Sequence, residues 1–176
     1  MIFHKTGEEI ERIKKSSLLV GKTLAQVAKI IKPGVTTLDL DKIAEEFIRD
    51  NNALPGFLGY GGFPNSLCTS VNSAVVHGIP NEYVISEGDI ISVDVGVIFQ
   101  GYHADAAFSF GVGEITEEEK NLLSKTKYAL HEAIKLVKDG QKLGTIGNKI
   151  DKIAKKNNLG NVKNYVGHGI GQEMHE

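Results

Sequence analysis

Apolar residues recur at roughly helical spacing through residues 8–31, at Ile10, Ile13, Leu24, Val27, Ile30 and Ile31, and Lys32-Pro33-Gly34 stops the element. A second helix is predicted over about 38–50. Thr36 with Asp39 three positions on resembles a capping box, and Leu40, Ile43, Ala44 and Phe47 form its apolar stripe. Residues 53–65 hold Pro55, Gly56, Gly59, Gly61, Gly62 and Pro64 and read as loop. Short strands are expected at 67–71 and 74–77. From Ile90 the pattern switches to alternation, which predicts a β-hairpin over 90–112 turning at Gln100-Gly101. Thr116 with Glu119 opens a helix running to about residue 138, closed by Gly140. Another helix is expected over about 145–158, and the tail 161–176 reads as a strand entering a glycine-rich bend.

Helix pairs set around an antiparallel hairpin make an α+β chain. The pattern also echoes itself. Ile31-Lys32-Pro33-Gly34 returns as Val137-Lys138-Asp139-Gly140, and Leu40-Asp41-Lys42-Ile43-Ala44 returns as Ile150-Asp151-Lys152-Ile153-Ala154, at offsets of 106 and 110 residues. Coincidence between two amphipathic helix pairs is the alternative. A true repeat makes one domain, 1–176, of two lobes: a first over about 8–112, and a second over about 116–176. The second copy of the hairpin would then fall near 196–222, so the second lobe is expected to be unfinished within the 176 residues.

Composition narrows the function classes. The chain has 20 Lys+Arg against 22 Asp+Glu, a formal charge of −2, which argues against nucleic-acid binding by charge. Its apolar runs fall far short of a membrane span, and residues 1–8 lack the apolar core of a signal peptide. Cys68 is the sole cysteine, so neither an intrachain disulfide nor a cysteine zinc cage is available, and a cytoplasmic setting is expected. Glycine stands out at 20 residues, about 11% against a usual level of about 7%, with much of the excess in 56–62 and 167–171.

The hairpin carries the candidate chemistry. With a two-residue turn, paired residue numbers sum to 201 and side chains alternate between faces. Ile91, Val93, Val95, Val97, Phe99, Tyr102, Ala104, Ala106, Phe108 and Phe110 share an apolar face that must pack on helices. Asp94 and Asp105 share the opposite face as diagonal neighbours, a spacing of roughly 7–8 Å at the backbone that lets two short carboxylates converge on one cation. Such carboxylates repel unless a proton or a cation intervenes. His168 lies in Gly167-His168-Gly169-Ile170-Gly171, a segment free to bend close to a site. Imidazole with two carboxylates is a mixed N/O set suited to Mn, Fe, Co or Zn. His77 has a similar His-Gly-Ile setting, and His175 follows His168 by seven residues. A harmless solvated face is the bland alternative. His103-Ala104-Asp105 with His168 also has the form of a two-histidine, one-carboxylate iron oxygenase, although the only arginines are Arg12 and Arg49 and helices flank the hairpin.

These stretches resemble the type I methionine aminopeptidases, of the pita-bread metallopeptidase family. The resemblance runs in order through Lys32-Pro33-Gly34-Val35-Thr36, Gly59-Tyr60-x-Gly62-Phe63-Pro64, Ser70-Val71-Asn72, Val76-His77-Gly78-Ile79-Pro80 and Gly88-Asp89-Ile90. It continues with Asp94-Val95, Gly101-Tyr102-His103-Ala104-Asp105 and Gly167-His168-Gly169-Ile170-Gly171. It implies the pita-bread fold, two pseudo-symmetric lobes around a metal site. It implies that Asp94, Asp105 and His168 bind a pair of divalent metal ions (Co, Mn, Fe, Zn or Ni), with two later glutamates completing the set. His77 would contact substrate near the scissile bond, and His175 would stabilise the developing oxyanion. Tyr60, Phe63 and Cys68 would line the methionine pocket. The reaction implied is removal of the initiator methionine from nascent proteins by metal-activated water. The expected partners are the N-terminal methionine of nascent polypeptides and, transiently, the ribosome, with no membrane partner and a monomeric state. Family members often carry an aromatic where Met174 stands and commonly cysteine where Phe57 stands. Neither late glutamate occurs in the 176 residues, so a C-terminally truncated chain with little activity of its own is expected. A non-catalytic binding module of the same fold is the other reading.

Overall fold

Thr6 opens helix α1 (Gly7–Ile30): its hydroxyl accepts from the Glu9 N–H while the Glu9 carboxylate accepts from the Thr6 N–H. Thr36 and Asp39 build the same reciprocal cap at α2 (Thr37–Asp50), so the shorter acid does complete the box. Each such cap contributes about 1 kcal/mol. Strands β1 (Leu54–Pro55), β2 (Leu67–Val71), β3 (Ile90–Phe99) and β4 (Tyr102–Gly111) follow, with a single 3-10 turn at Tyr60–Gly62. Helices α3 (Glu117–Ile134), capped by Thr116 and Glu119, and α4 (Gly144–Lys156) complete the order. The structure is a computed structural model and describes residues 3–176.

The sheet is antiparallel throughout. β3 pairs with β4 along one edge, and with β1 and β2 along the other. The β3–β4 register runs from Ile90↔Gly111 to Phe99↔Tyr102, the two-residue hairpin expected from the alternation. Gln100 and Gly101 both take positive φ, 52° and 79°, as that turn requires. One face of β3 is the core: Ile91, Val93, Val95 and Val97 are fully buried, with Val20 and Val27 of α1 and Leu40, Ala44 and Ile48 of α2 packed in the same cluster. Each of the larger side chains gains roughly 1.5–3 kcal/mol from this burial. Ser16 of α1 fastens the helix to the hairpin turn, its hydroxyl donating to the Tyr102 carbonyl at 2.8 Å.

Two buried aspartates organise the loops beside the sheet. Asp41 accepts from the backbone N–H groups of Ser66 and Leu67 and from the Asn65 amide, which fixes the start of β2. Asp89 accepts from Asn72, the Tyr83 hydroxyl and the Ser86 N–H, tying together the long loop between β2 and β3. Burial pushes the Asp89 carboxyl up, but those hydrogen bonds outweigh it and hold the group below its ordinary range.

Several expectations fail for local reasons. Residues 74–77 form no strand: Asn72 and His77 take φ of 51° and 58°, and a turn from Val71 to Ala74 breaks the extension. The tail 161–176 contains bends and no strand. Helix α3 stops at Ile134, because Leu136 and Val137 donate three residues back rather than four. The apolar hairpin face is not covered throughout either. Phe108 is 44% exposed and lies against Phe110 with ring centroids 4.8 Å apart, near the far end of the edge strand β4.

The chain divides into two compact units. The first ends at Ile115 and also contains His168–Glu176; the second is Thr116–Gly167. Residues 168–176, the end of the tail expected in the second lobe, fall in the unit that holds the sheet. Within the second unit α3 and α4 pack together, and Glu132 takes Lys149 at 3.0 Å.

Candidate active site

The hairpin register puts Asp94 opposite Ala107 and Asp105 opposite Gly96, so the two carboxylates lie diagonally on the face away from the core. Burial, reinforced by the charge of Asp105, pushes the Asp94 carboxyl up to about 6, against the opposing pull of His77, the Val95 N–H and His168. This pair is short of positive charge.

The segment His168–Glu176 folds back on itself beside the pair. Gly169 and Glu176 exchange two backbone hydrogen bonds of 2.9 Å, and Gly171 accepts from the His103 N–H at 2.7 Å, which docks the segment on β4. The rings of His168 and His175 come to 4.3 Å between centroids. Nδ1 of His168 lies 3.0 Å from the Gly169 carbonyl, which can only accept, so Nδ1 donates there and Nε2 is the nitrogen turned toward the acids. That Nε2 stands 3.6 Å from the Asp105 carboxylate. A proton on Nε2, or a cation between the two groups, would close that contact.

Nδ1 of His175 is 2.8 Å from the Tyr60 hydroxyl. His77 reaches the site from the loop after β2, in the left-handed conformation. It is held there by Gly78, whose carbonyl accepts from Thr69 at 2.7 Å and whose N–H donates to the Ser70 hydroxyl. A Cβ on Gly78 would fall 2.2 Å from the Thr69 carbonyl oxygen, so no other residue fits there.

These groups share a cavity of about 510 Å³, lined by Asp94, Asp105, His168, His77 and His175 together with Tyr60, Phe63 and Cys68. All eight candidates from the sequence meet there. His103 is not among the lining residues, and its buried Nδ1 has no hydrogen-bond partner. Phe57, Met174 and Ile79 also line the cavity, and Phe57, Cys68 and Met174 form a small buried cluster flanked by Phe63. The resemblance singled out Phe57 and Met174 as departures from the family bearing on the pocket, and both lie in its wall. Gly96 makes room for the first of them: its missing side chain admits the Phe57 ring, and a Cβ there would lie 2.6 Å from it. Burial first, then the charges of Asp94 and Asp41, push the Cys68 thiol up to about 12. It is an apolar wall, not a nucleophile.

Could this set hold a metal? Among the described residues, no three His, Cys, Asp or Glu side chains already sit close enough to cage an ion. The donors nevertheless suit one: an imidazole nitrogen aimed at a carboxylate, and a second carboxylate whose charge is disfavoured without a cation.

Residues 11–176 match the model of metallopeptidase family M24. The chain belongs to that family. A methionine aminopeptidase of Clostridium acetobutylicum is 49% identical across the whole of this chain, which spans 71% of that relative. The crystal structure of a methionine aminopeptidase from Rickettsia prowazekii superposes with a TM-score of 0.98 at 39% identity, covering all of this chain and 71% of that one. The enzyme from Thermotoga maritima gives the same score at 42% identity. The fold is thus the pita-bread fold, and the chain is by family a metalloaminopeptidase, a hydrolase of the methionine aminopeptidase group. Among the described residues no helix is long and apolar enough to cross a membrane.

Proposed function

We propose that the chain acts on the N-terminal methionine of polypeptides, with Asp94, Asp105 and His168 holding divalent metal and His77 and His175 handling the scissile amide. The observation that carries this reading is His168 Nε2 at 3.6 Å from the Asp105 carboxylate, beside a second, half-buried carboxylate at Asp94. When bound, two such ions would polarise the amide carbonyl and make water nucleophilic near neutral pH.

The chain's own groups supply the rest. Phe57, Phe63, Cys68 and Met174 offer a polarisable apolar wall to a thioether side chain. With the Tyr60 hydroxyl as donor to Nδ1 of His175, 2.8 Å away, Nε2–H would be the donor to the carbonyl oxygen as charge develops on it. His77, fixed by Gly78, contacts the substrate from the other wall. Free methionine termini of nascent chains are the substrate, with the ribosome as a transient partner, in the cytoplasm and as a monomer. The resemblance supports reading these residues as parts of one domain, 1–176.

The three ligands bring at most four carboxylate oxygens and one imidazole, a thin set for two ions. The 176-residue chain by itself therefore binds metal weakly and turns over slowly. Calorimetric titration of Mn²⁺ into wild type and Asp105→Asn tests the assignment, with weak binding expected for the first and weaker for the second. Equal affinities would remove Asp105 from the site, and release of methionine from Met-Ala-Ser at a normal family rate would refute the low activity.

A further inference from the structure

We propose that Lys5 is a positioning residue of the active site, acting through Glu176 to hold His168 and His175 in place. The proposal rests on the roles of those histidines given above. Lys5 precedes the cap of α1, far in sequence from the histidines, yet its ammonium pairs directly with the Glu176 carboxylate. The pair is well shielded, with side chains 19% and 9% exposed. Exposed pairs contribute little, but a shielded one penalises loss of either partner, because the other charge is left poorly solvated.

Glu176 is the knot of the 168–176 segment. Its backbone exchanges both hydrogen bonds with Gly169, next to His168, and its own chain neighbour is His175. Its carboxylate also accepts the Glu173 N–H at 3.2 Å and lies so near Gly171 that a Cβ there would come within 2.3 Å of Oε1. The acid thus fills the inside of the bend, and the Lys5 ammonium, with the Glu173 N–H, holds its carboxyl below the ordinary range. A second strap runs parallel: Glu9 accepts from the Tyr102 hydroxyl, which accepts from Gln172. The beginning of α1 is therefore built against the segment that carries both histidines. Loss of the Lys5 charge frees the acid from the bend, and the two rings lose their fixed 4.3 Å contact.

The test uses isotope-labelled full chain as wild type, Lys5→Met, Lys5→Arg and Glu176→Gln. Two readouts are taken: the nuclear Overhauser contact between the His168 and His175 rings in metal-free protein, and Mn²⁺ affinity by calorimetry. Lys5→Met and Glu176→Gln should lose the ring contact while the amide signals of Val93 and Val95 stay in place. Both should bind Mn²⁺ about tenfold more weakly, the usual scale for a group that orients a ligand. Lys5→Arg should restore both. The proposal is overturned if Lys5→Met keeps the ring contact at wild-type strength, or if Lys5→Arg loses as much as Lys5→Met. Should Lys5→Met not fold, Glu176→Gln decides in the same way. Wild type that takes up no Mn²⁺ would sink the metal reading, whereas the ring contact would still decide the role of Lys5.

Discussion

Asp94→Asn should make the metal-free chain more stable at pH 7, although it removes a residue from the candidate site. The Asp94 carboxyl rises from an ordinary 3.8 to about 6, because burial and the Asp105 charge disfavour its ionised form. The folded state holds that proton more tightly than the unfolded chain, so stability falls as pH climbs from about 4 through 6. The full cost at pH 7 is about 3 kcal/mol, taken as the free-energy equivalent of that rise. His77 and His168 face Asp94 and pull the other way, and their contribution is contained in the net value. Other carboxyls held low, among them Asp89 and Asp39, give the opposite trend but are common to both proteins. The quantity to measure is therefore the difference between the two proteins in urea unfolding free energy, in chelator, from pH 4 to pH 7. The variant should gain steadily, with most of the change between pH 4 and 6. In Mn²⁺ at 100 times its Kd the gap should close almost entirely at pH 7, since the metal then stabilises wild type by about 2.7 kcal/mol against a cost of about 3 kcal/mol. A difference that stays flat across this range would refute the claim that Asp94 is a strained, cation-seeking carboxylate.

The remaining predictions concern the walls of the cavity. Gly96→Ala pushes a methyl into the Phe57 ring and should cost about 1–3 kcal/mol in thermal unfolding, as overpacking does; an unchanged midpoint would show that the ring does not lie on the sheet. Cys68, with its thiol near 12, should be inert to disulfide reagents at pH 8, where only about 1 in 10,000 thiols is ionised, and should react at once in denaturant. Tyr60→Phe should release Nδ1 of His175, seen as a mixture of ring tautomers by ¹⁵N spectroscopy; a single unchanged tautomer would mean that Tyr60 does not set it.

The ease with which the hairpin was read has a simple cause. Ten residues of alternation on each strand, bounded by Gln100-Gly101, leave one register that buries Ile91, Val93, Val95 and Val97 together. That register alone places Asp94 and Asp105 on a common face. The caps at Thr6, Thr36 and Thr116 are equally local, each needing only a partner three residues on. Residues 74–77 misled because an Ala-Val-Val run favours a strand, while Asn72, Asp89 and the close approach of Gly78 to Thr69 bend it into a loop that delivers His77. Phe57 and Met174 lie in irregular segments, where no periodicity assigns a face, so it was the resemblance and not the pattern that pointed to them.

Local rules thus determined β2, the β3–β4 hairpin, the cap of each of three helices and the shared face of two acids, since each depends on neighbours a few positions away or on one turn. Folding in three dimensions decided which distant groups join them. His77, His168, His175, Tyr60 and Phe57 converge through buried hydrogen bonds to Asp41 and Asp89, glycine contacts too tight for a side chain, and the Lys5–Glu176 pair. Those are contacts between segments far apart along the chain, and only packing can fix them.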